Sequence, residues 1–435
     1  MFFKEKRFNN WGRNIHIIPK RLSPKNYNDL KKIINKKSFI VHGNQRSYGD
    51  VCSNKDLVVS MANFNQIKYF DAKKGIIEVE SGTLLSDLLP IIIEKGWFIP
   101  VTPGTKYVSI GGMIANNVHG KNIHKNRISH YVKEIKLMGL NKKILKCSRK
   151  RNKKAFNLTI GGFGLTGIIL TVTLQLKKIC SSYLDQKITG FNTYEEFYSV
   201  SKNVGNYEYS VSWIDNFSKY KFQGINFLAK HSNIKKNNLS SINSKQIGLI
   251  SLLVSKLIVN SYFFSRIINF IYRNYKKYFY HKLCNYNEIF YPQDYFIDWN
   301  KIYGKKGFFE IQFIIPENKF KKILIEISTF FKKTKNFSPF IVVKRFNEKG
   351  KYLNYSGAGY SISFDFKINN NFKIVNFFFN LLIKKYCLKV NFSKDLITNK
   401  SNAFNYPEFK LFKKEILLLN MKKKINSLFS KRLEI

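Results

Sequence analysis

Apolar and polar residues alternate along many short stretches of this chain, as they do in half-buried β-strands. Between residues 84 and 92 the apolar positions instead recur every three or four residues, which predicts a helix. Pro90 inside that pattern predicts a kink or a break. Another helix is predicted around residues 27–34. Strands are predicted at 39–41, 57–60, 76–80, 97–101, 168–176, 209–215, 225–229, 308–315, 342–346 and 360–366.

A different pattern occupies residues 246–277, where large apolar residues fill the gaps between widely spaced polar ones. It predicts one or two helices with a wide apolar face and a narrow polar stripe. No apolar run of about 18 residues occurs, so a transmembrane span is not predicted. Two interpretations stay open: a helix packed on the core, or an interfacial helix on a membrane, with Lys256, Arg266 and Arg273 on or beside the stripe and facing anionic headgroups. The polar positions are 251, 255, 260, 265, 269, 273 and 277.

Candidate chemistry concentrates between residues 103 and 124. Pro103 and Gly104 indicate a turn, and Gly111 and Gly112 would let a ligand approach the backbone closely. This combination favours a bound ligand with phosphate groups and ring edges over an ordinary glycine-rich turn and polar loop. The polar residues that follow the glycines are Asn116, Asn117, His119, Lys121, Asn122 and His124.

A second ligand-binding turn is predicted at residues 43–50, directly after an apolar strand. Such a glycine-bounded turn presents successive backbone N–H groups to a phosphate, and Arg46 and Ser47 add donors. Residues 162–167 also match the G-x-G-x-x-G string of dinucleotide-binding folds. That fingerprint must open a helix, whereas a strand is predicted from Ile168 onward, which argues against a Rossmann fold.

The chain has 435 residues, enough for two or three domains, and a net charge of +48. Such a charge is typical of proteins that bind nucleic acid or anionic membranes. Here Lys, Asn, Ile, Phe and Tyr are all abundant and the charge is spread along the chain, which indicates codon bias; no nucleic acid partner is expected.

The five cysteines form no C-x-x-C pair, so neither a metal site nor a disulfide framework is predicted. The N-terminus lacks an apolar signal-peptide core, which favours a cytoplasmic protein or one peripheral to the inner membrane face.

Several pieces, in order along almost the whole chain, resemble the flavoenzymes of the vanillyl-alcohol oxidase/p-cresol methylhydroxylase type. The resemblance implies an α+β fold with a split FAD-binding domain at 1–180 and 390–435 and a sheet-based substrate domain at 181–389. The shared pieces are Arg-Ser-Tyr-Gly-Asp (46–50), Pro-Gly-Thr (103–105), Gly-Gly-x-Ile-Ala (111–115), His-Gly-Lys-Asn (119–122), Gly-Leu-Thr-Gly-Ile (164–168), Phe-Tyr-Pro (290–292), Lys394-Asp395 and Arg-Leu-Glu (432–434).

The resemblance implies FAD as cofactor. Many relatives attach FAD covalently to a histidine in the first phosphate turn, and this turn has none, so noncovalent FAD is expected; His42, just before it, is interpreted as a strand residue. The implied cofactor-binding residues are Gly43, Arg46, Ser47, Tyr48, Gly49, Asp50, Pro103, Gly104, Thr105, Gly111, Gly112, Asn116, Asn117, His119, Gly120, Asn122, Gly164, Gly167 and Ile168.

The resemblance also implies a catalytic set of Lys394, His119 and Lys121. Lys394 would contact flavin and substrate, either as a base or as a cation that stabilises the reduced flavin. Lys121 and Lys344 would suit a phosphate-bearing substrate. Glu310, Ser361 and Ser363 depart from the family pattern, which puts substrate detail in doubt. The implied substrate-binding residues are Trp213, Tyr291, Glu310, Gln312, Lys344, Ser361 and Ser363.

The expected function is oxidation of a secondary alcohol on a sugar, and the sugar expected is a pentose linked to a polyprenyl phosphate. This oxidation would be the first half of an epimerisation. The partners expected are a lipid-linked phosphosugar, a separate NAD(P)H-dependent reductase and a peripheral membrane contact. The alternatives are a soluble aldonolactone or alditol oxidase, or a basic membrane- or nucleic-acid-binding protein without catalysis. A large exposed apolar face at 246–277 would favour the lipid-linked substrate over a soluble sugar.

Overall fold

A computed structural model describes residues 9–215, 222–234, 249–277 and 281–435. Most of the predicted strands are present within one or two residues of their expected bounds. The strands are β1 (Lys20–Leu22), β2 (Ile40–His42), β3 (Leu57–Ser60), β4 (Ile67–Asp71), β5 (Ile76–Glu80), β6 (Trp97–Phe98), β7 (Val132–Met138), β8 (Ile144–Ser148), β9 (Ile168–Gln175), β10 (Lys177–Lys178), β11 (Tyr183–Phe191), β12 (Tyr209–Asp215), β13 (Gln223–His231), β14 (His281–Asn285), β15 (Phe308–Ile315), β16 (Ile341–Glu348), β17 (Gly357–Lys367) and β18 (Lys389–Val390).

The helix predicted from the 84–92 pattern runs without a break through Pro90, so the predicted break is wrong. Pro90 is exposed, and the carbonyl of Ser86 that loses its helical donor lies on the same side, where water can satisfy it. The helices are α1 (Tyr27–Ile33), α2 (Leu85–Glu94), α3 (Ile110–Ala115), α4 (Lys153–Thr159), α5 (Tyr194–Lys202), α6 (Leu249–Asn260), α7 (Tyr262–Lys277), α8 (Tyr286–Phe290), α9 (Phe320–Thr334), α10 (Phe372–Tyr386), α11 (Lys400–Ala403), α12 (Phe409–Leu419) and α13 (Leu428–Leu433).

Three sheets occupy the first part of the described chain, and the smallest pairs β6 with β10 in antiparallel orientation. Strands β1, β3 and β2 pair in parallel in that order. Strands β4, β5, β9, β7 and β8 form an antiparallel sheet against which α3 packs. The glycine string at 162–167 leads into β9 and not into a helix, which confirms the prediction against a Rossmann fold.

A large antiparallel sheet follows, with strand order β14-β11-β13-β12-β16-β17-β15-β18 in the described part of the chain. Strand β15 of this sheet is buried along its whole length, because different layers cover its two faces. Apolar residues of α9 and α10 pack on one face, against Ile311 and Phe313 of β15 and their neighbours. The polar residues Glu310 and Gln312 of the same strand lie on the opposite face, as the alternation predicts.

The C-terminal segment packs on the first part of the chain. Apolar residues of α12 and α13, among them Phe412 and Phe429, share one core with Ile40 of β2 and Val58 of β3. The backbone of Phe39 also bonds to residues 424 and 426. The mixed helices and sheets confirm the α+β character; the domain boundaries at 180 and 389 stay a prediction.

The segment with the wide apolar face forms two helices, α6 and α7, and residues 246–248 of the predicted stretch lie outside the described residues. Helix α7 packs on the rest of the protein by its polar side, and not by its apolar side as expected for a helix packed on a core. Its polar residues Ser265, Asn269 and Arg273 are buried, whereas Phe263 and Phe270 are exposed. The expectation that Arg273 faces lipid headgroups is therefore wrong, because Arg273 pairs with the buried carboxylate of Asp215 at 3.1 Å. No helix among the described residues is both long enough and apolar enough to cross a bilayer.

Two glycines of β17 provide a matched test of the large sheet. Gly359 has φ +134°, and a Cβ there would lie 2.1 Å from the carbonyl oxygen of Ile315. A Cβ at Gly357 would meet Ile314 at an ordinary 3.4 Å. We expect Gly359→Ala to lower the free energy of unfolding by about 1–3 kcal/mol, and Gly357→Ala to change it little. Denaturant titration of both variants measures this, and equal effects would contradict the strained conformation.

Candidate active site

A cavity of about 700 Å³ lies between the first part of the chain and the polar face of the large sheet. Three walls enclose it: the turn after β2, the stretch around α3, and the side chains of β12, β15, β16 and β17. These walls collect most of the predicted site residues. Those on the cavity are Gly43, Arg46, Ser47, Tyr48, Pro103, Gly104, Thr105, Gly112, Asn116, Asn117, His119, Lys121, Gly164, Trp213, Glu310, Gln312, Lys344, Ser361, Ser363 and Lys394.

The other predicted residues lie behind these walls, where they hold the backbone in place. A Cβ on Gly111 would sit 2.7 Å from the Ser81 side chain, so a glycine lets these segments touch. Asn122 donates to the carbonyl of Pro100 at 2.8 Å. The Tyr291 hydroxyl is fully buried and bonds to Thr102 at 2.6 Å. Gly49, Asp50, Gly120, Gly167 and Ile168 are also behind the cavity surface.

The polar wall lies on one face of the large sheet because residues that pair across neighbouring strands point to the same face. Gln312 of β15 is opposite Ser363 of β17, which is opposite Val342 of β16. Val342 is in turn opposite Trp213 of β12. Lys344 of β16 is opposite Ser361, whose hydroxyl accepts from Gln312 Nε2 at 3.0 Å.

Lys394 lies beside this wall on the segment after β18. Its Nζ is 2.7 Å from Glu310 Oε1 and 5.1 Å from the ring centre of Tyr48. Glu310 is nearly fully buried, so this ion pair neutralises a carboxylate that would otherwise be costly to bury. Asp365, opposite Glu310 on β17, has a pKa raised well above its usual value by burial and then by the Glu310 charge. Asp365 therefore keeps its proton beside the Glu310–Lys394 ion pair.

Two further lysines face the cavity, and neither forms an ion pair within the described ranges. Burial and then the charges of Lys394 and Lys121 lower the pKa of Lys344 to about 7. Burial lowers the pKa of Lys121 to about 8. The Lys121 amine donates to the carbonyl oxygens of Ile289 and Phe290. The cavity thus has more cationic than anionic groups, a composition that suits an anionic ligand.

His119 is neutral in this environment. Burial, and then the charges of Lys344 and Lys394, lower its pKa well below the usual value. Its ring packs against Phe346 and Tyr355, with centroids 5.1 and 5.4 Å away. A neutral imidazole offers one donor and one acceptor to a ligand, and its low pKa makes it a poor base.

Sequence reasoning missed several residues on the cavity. Asp365 has the same parity in β17 as Ser361 and Ser363, so strand alternation could have found it. Asn391 donates to Gln312 Oε1 at 2.7 Å, and no local pattern indicates this contact across 79 positions. Phe296 and Phe340 also line the cavity, from connections between the main elements.

The residues of the first two walls fit an FAD molecule. Arg46 Nε, Asn116 Oδ1 and Asn117 Nδ2 are buried polar atoms without a hydrogen-bond partner among the described residues. A buried polar atom of this kind normally has a partner, which here a ligand would supply. The Arg46 guanidinium lies 4.0 Å from the Trp11 ring centre, which fixes its position. Gly104 faces open space, so a cofactor could lie against its backbone.

Comparison with known proteins agrees with this fit. Residues 21–148 match the FAD binding domain family. The chain is 28% identical over 386 residues to decaprenylphosphoryl-β-D-ribose oxidase of Mycolicibacterium smegmatis, which covers 83% of each chain. It is also 28% identical over 180 residues to L-gulonolactone oxidase of Bos taurus, covering 40% of this chain and 41% of that one. A shorter match, 27% identical over 118 residues, is to L-galactono-1,4-lactone dehydrogenase 2 of Oryza sativa, and it covers 27% of this chain and 20% of that one.

The domain match and the cavity together make this protein an FAD-dependent oxidoreductase that acts on CH–OH groups. Within that class it is an FAD-linked oxidase similar to decaprenylphosphoryl-β-D-ribose oxidase along most of its length.

The lowered pKa of Lys344 predicts a pH-dependent stability. The unfolded chain keeps the Lys344 proton up to about pH 10.5, whereas the folded chain releases it near 7. Burial of Lys344 therefore destabilises the fold most below about pH 7, and this penalty shrinks as pH rises toward 10.5. We expect Lys344→Met to unfold at a higher temperature than wild type near pH 6.5, by a margin that narrows by about pH 9.5. A margin independent of pH in thermal unfolding would contradict the shift.

Proposed function

We propose that this protein oxidises a secondary hydroxyl of a pentose carried on a polyprenyl phosphate to the corresponding keto-sugar. The observation that carries the proposal is the cationic cavity, in which Lys344 forms no ion pair with a carboxylate among the described residues. A phosphate ester beside the sugar would supply that missing negative charge. The similarity to an oxidase named for a decaprenylphosphoryl-ribose substrate supports the same conclusion.

The reaction removes a hydride from carbon and a proton from oxygen. When bound, FAD would supply the hydride-accepting chemistry, and an acceptor such as O₂ or a quinone would take up the two electrons. The chain must orient the sugar, keep water out and accept the hydroxyl proton. The polar wall formed by Gln312, Ser361 and Ser363 provides donors and acceptors for sugar hydroxyls.

The three lysines divide the remaining roles. Lys394 is held in an ion pair by Glu310, so it acts as a fixed cation that stabilises developing negative charge. Lys121, with a pKa of about 8, is partly neutral at ordinary pH. As a neutral amine it still donates two N–H bonds, to the carbonyls of Ile289 and Phe290, and its lone pair accepts the proton. Lys344, the third lysine, binds the phosphate group of the substrate.

A keto-sugar product implies a second reaction. Reduction of the ketone from the opposite face by a separate NAD(P)H-dependent reductase would complete an epimerisation. That reductase is the partner we propose for this enzyme.

Noncovalent attachment of FAD is expected because the first phosphate turn contains no histidine. His42 lies on the cavity wall at the end of β2, but its Nδ1 is 2.7 Å from the Gly43 carbonyl, and burial lowers its pKa to about 4. Purified protein should be yellow and release its flavin into the supernatant on acid precipitation. Flavin retained in the pellet would contradict this expectation and point to His42 or Cys52, which also faces the cavity. A colourless protein that cannot be reconstituted would remove the flavoenzyme assignment.

The substrate and the role of Lys394 are tested together. A polyprenylphosphoryl pentose in detergent should bleach the flavin anaerobically, and Lys394→Ala should slow this reduction at least about a hundredfold. The physical reason is loss of the fixed positive charge beside the site of reaction. Stopped-flow absorbance measures the rate.

Lys400→Ala is the matched control, because Lys400 lies outside the cavity and its half-exposed amine pairs with Glu434. It should reduce at the wild-type rate. Near-normal kinetics in Lys394→Ala would remove Lys394 from the site. Flavin reduction by L-gulono-1,4-lactone, with none by the phosphosugar, would favour the aldonolactone oxidase alternative.

A further inference from the structure

The buried side of α7 is its polar side. Ser265, Asn269 and Arg273 recur every fourth residue and are at most 8% exposed. Each has a partner inside the protein: Ser265 donates to the Ile258 carbonyl, Asn269 to the Pro339 carbonyl, and Arg273 to Asp215 and Gln223. These bonds fix the rotation of the helix about its axis, so the apolar side must face outward.

The outward side is large and continuous with α6. Val259 of α6 packs inward against Trp299 and Ile302, which leaves the neighbouring apolar residues of α6 on the surface. We call the exposed set the apolar outer face. It consists of Leu253, Val254, Leu257, Phe263, Phe264, Ile267, Phe270 and Ile271. Exposed residues in such number mark an interaction surface in a soluble domain.

This face adjoins the cavity. Ser255 of α6 and Tyr272 of α7 line the cavity, and the Tyr272 ring lies 5.2 Å from that of Trp213 on the polar wall. Phe296 and Phe340 are exposed and also line the cavity, so they form an apolar rim where it meets the surface. The same two helices thus separate the site from the outside and present apolar groups to the outside.

The charge around the face favours an anionic partner. No Asp or Glu occurs between Asp215 and Glu288, while Lys and Arg recur throughout this stretch. Arg266 is exposed on α7, and Lys305 and Lys306 are exposed just after the helical turn Trp299–Tyr303, which contacts α6. Two copies of so basic a face would repel each other, which disfavours self-association.

We propose that the apolar outer face docks onto an anionic lipid bilayer and brings the apolar rim of the cavity to the membrane surface. The bilayer contact itself follows from the orientation of α6 and α7; its use in substrate capture rests on the proposed function. A polyprenyl chain then stays in the bilayer while its phosphate and sugar enter the cavity, which avoids exposing its CH₂ groups to water.

Flotation of the flavin-loaded protein with vesicles tests the docking. Wild type should float with vesicles of phosphatidylglycerol and phosphatidylcholine and much less with phosphatidylcholine alone. Phe263→Asp/Phe264→Asp should reduce the floated fraction on the order of tenfold and keep the flavin spectrum. Phe377→Asp is the matched control, since Phe377 of α10 is 68% exposed, close to the 65% of Phe263. It should float like wild type.

Several results would overturn the proposal. Equal flotation of all variants would show that net charge alone binds the vesicles. Loss of flavin and aggregation in both Phe263→Asp/Phe264→Asp and Ile267→Ser/Phe270→Ser would make the face part of the core. A wild-type dimer in solution that these substitutions dissociate would assign the face to a second copy. Reduction of the flavin by a detergent-solubilised phosphosugar is measured separately, so failure of the chemistry and failure of the docking are distinguishable.

Discussion

One half-buried cation, Arg432, joins the parts of the chain that build the candidate active site. Arg432 of α13 binds both oxygens of Asp50, each at 2.9 Å, and Asp395 at 3.1 Å. Asp50 ends the turn at residues 43–50, and Asp395 follows Lys394. Burial alone would lower the pKa of Arg432, but the charges of Asp395 and Asp50 raise it overall. Removal of this guanidinium would leave two buried carboxylates without a counter-charge, a costly state in any protein interior.

The geometry of this cluster explains why the turn needs Gly49. A Cβ at Gly49 would lie 1.9 Å from the Asp395 carbonyl, so only glycine lets the turn touch the segment of Lys394. The contact fixes Tyr48 against Lys394, whose amine is 5.1 Å from the Tyr48 ring centre. Arg432 and Asp50 do not line the cavity, yet the relative positions of the turn after β2 and Lys394 depend on them.

The sequence predicts the sheets better than the site. Strand alternation identifies β3, β5, β12 and β15 at their observed bounds, because a strand with different surroundings on its two faces must alternate. Most of the cofactor- and substrate-binding residues that the motifs predict also line one cavity. They do not separate residues that face the cavity from residues behind it, such as Asn122 and Tyr291, since that depends on contacts between distant segments. Asn391 and the charge state of Asp365 depend likewise on pairings across the sheet.

The α6–α7 segment shows why an amphipathic pattern alone cannot give orientation. The pattern is the same whether the apolar side packs on a core or faces outward, and the free energy of burying apolar area favours the core. Here the polar stripe has partners that a core would not offer, above all Asp215 at the end of β12. Because a buried arginine needs such a carboxylate, the Arg273 ion pair decides which side of α7 faces in. The buried ion pair between Arg273 and Asp215 therefore determines both which side of α7 faces the cavity and which side forms the apolar outer face.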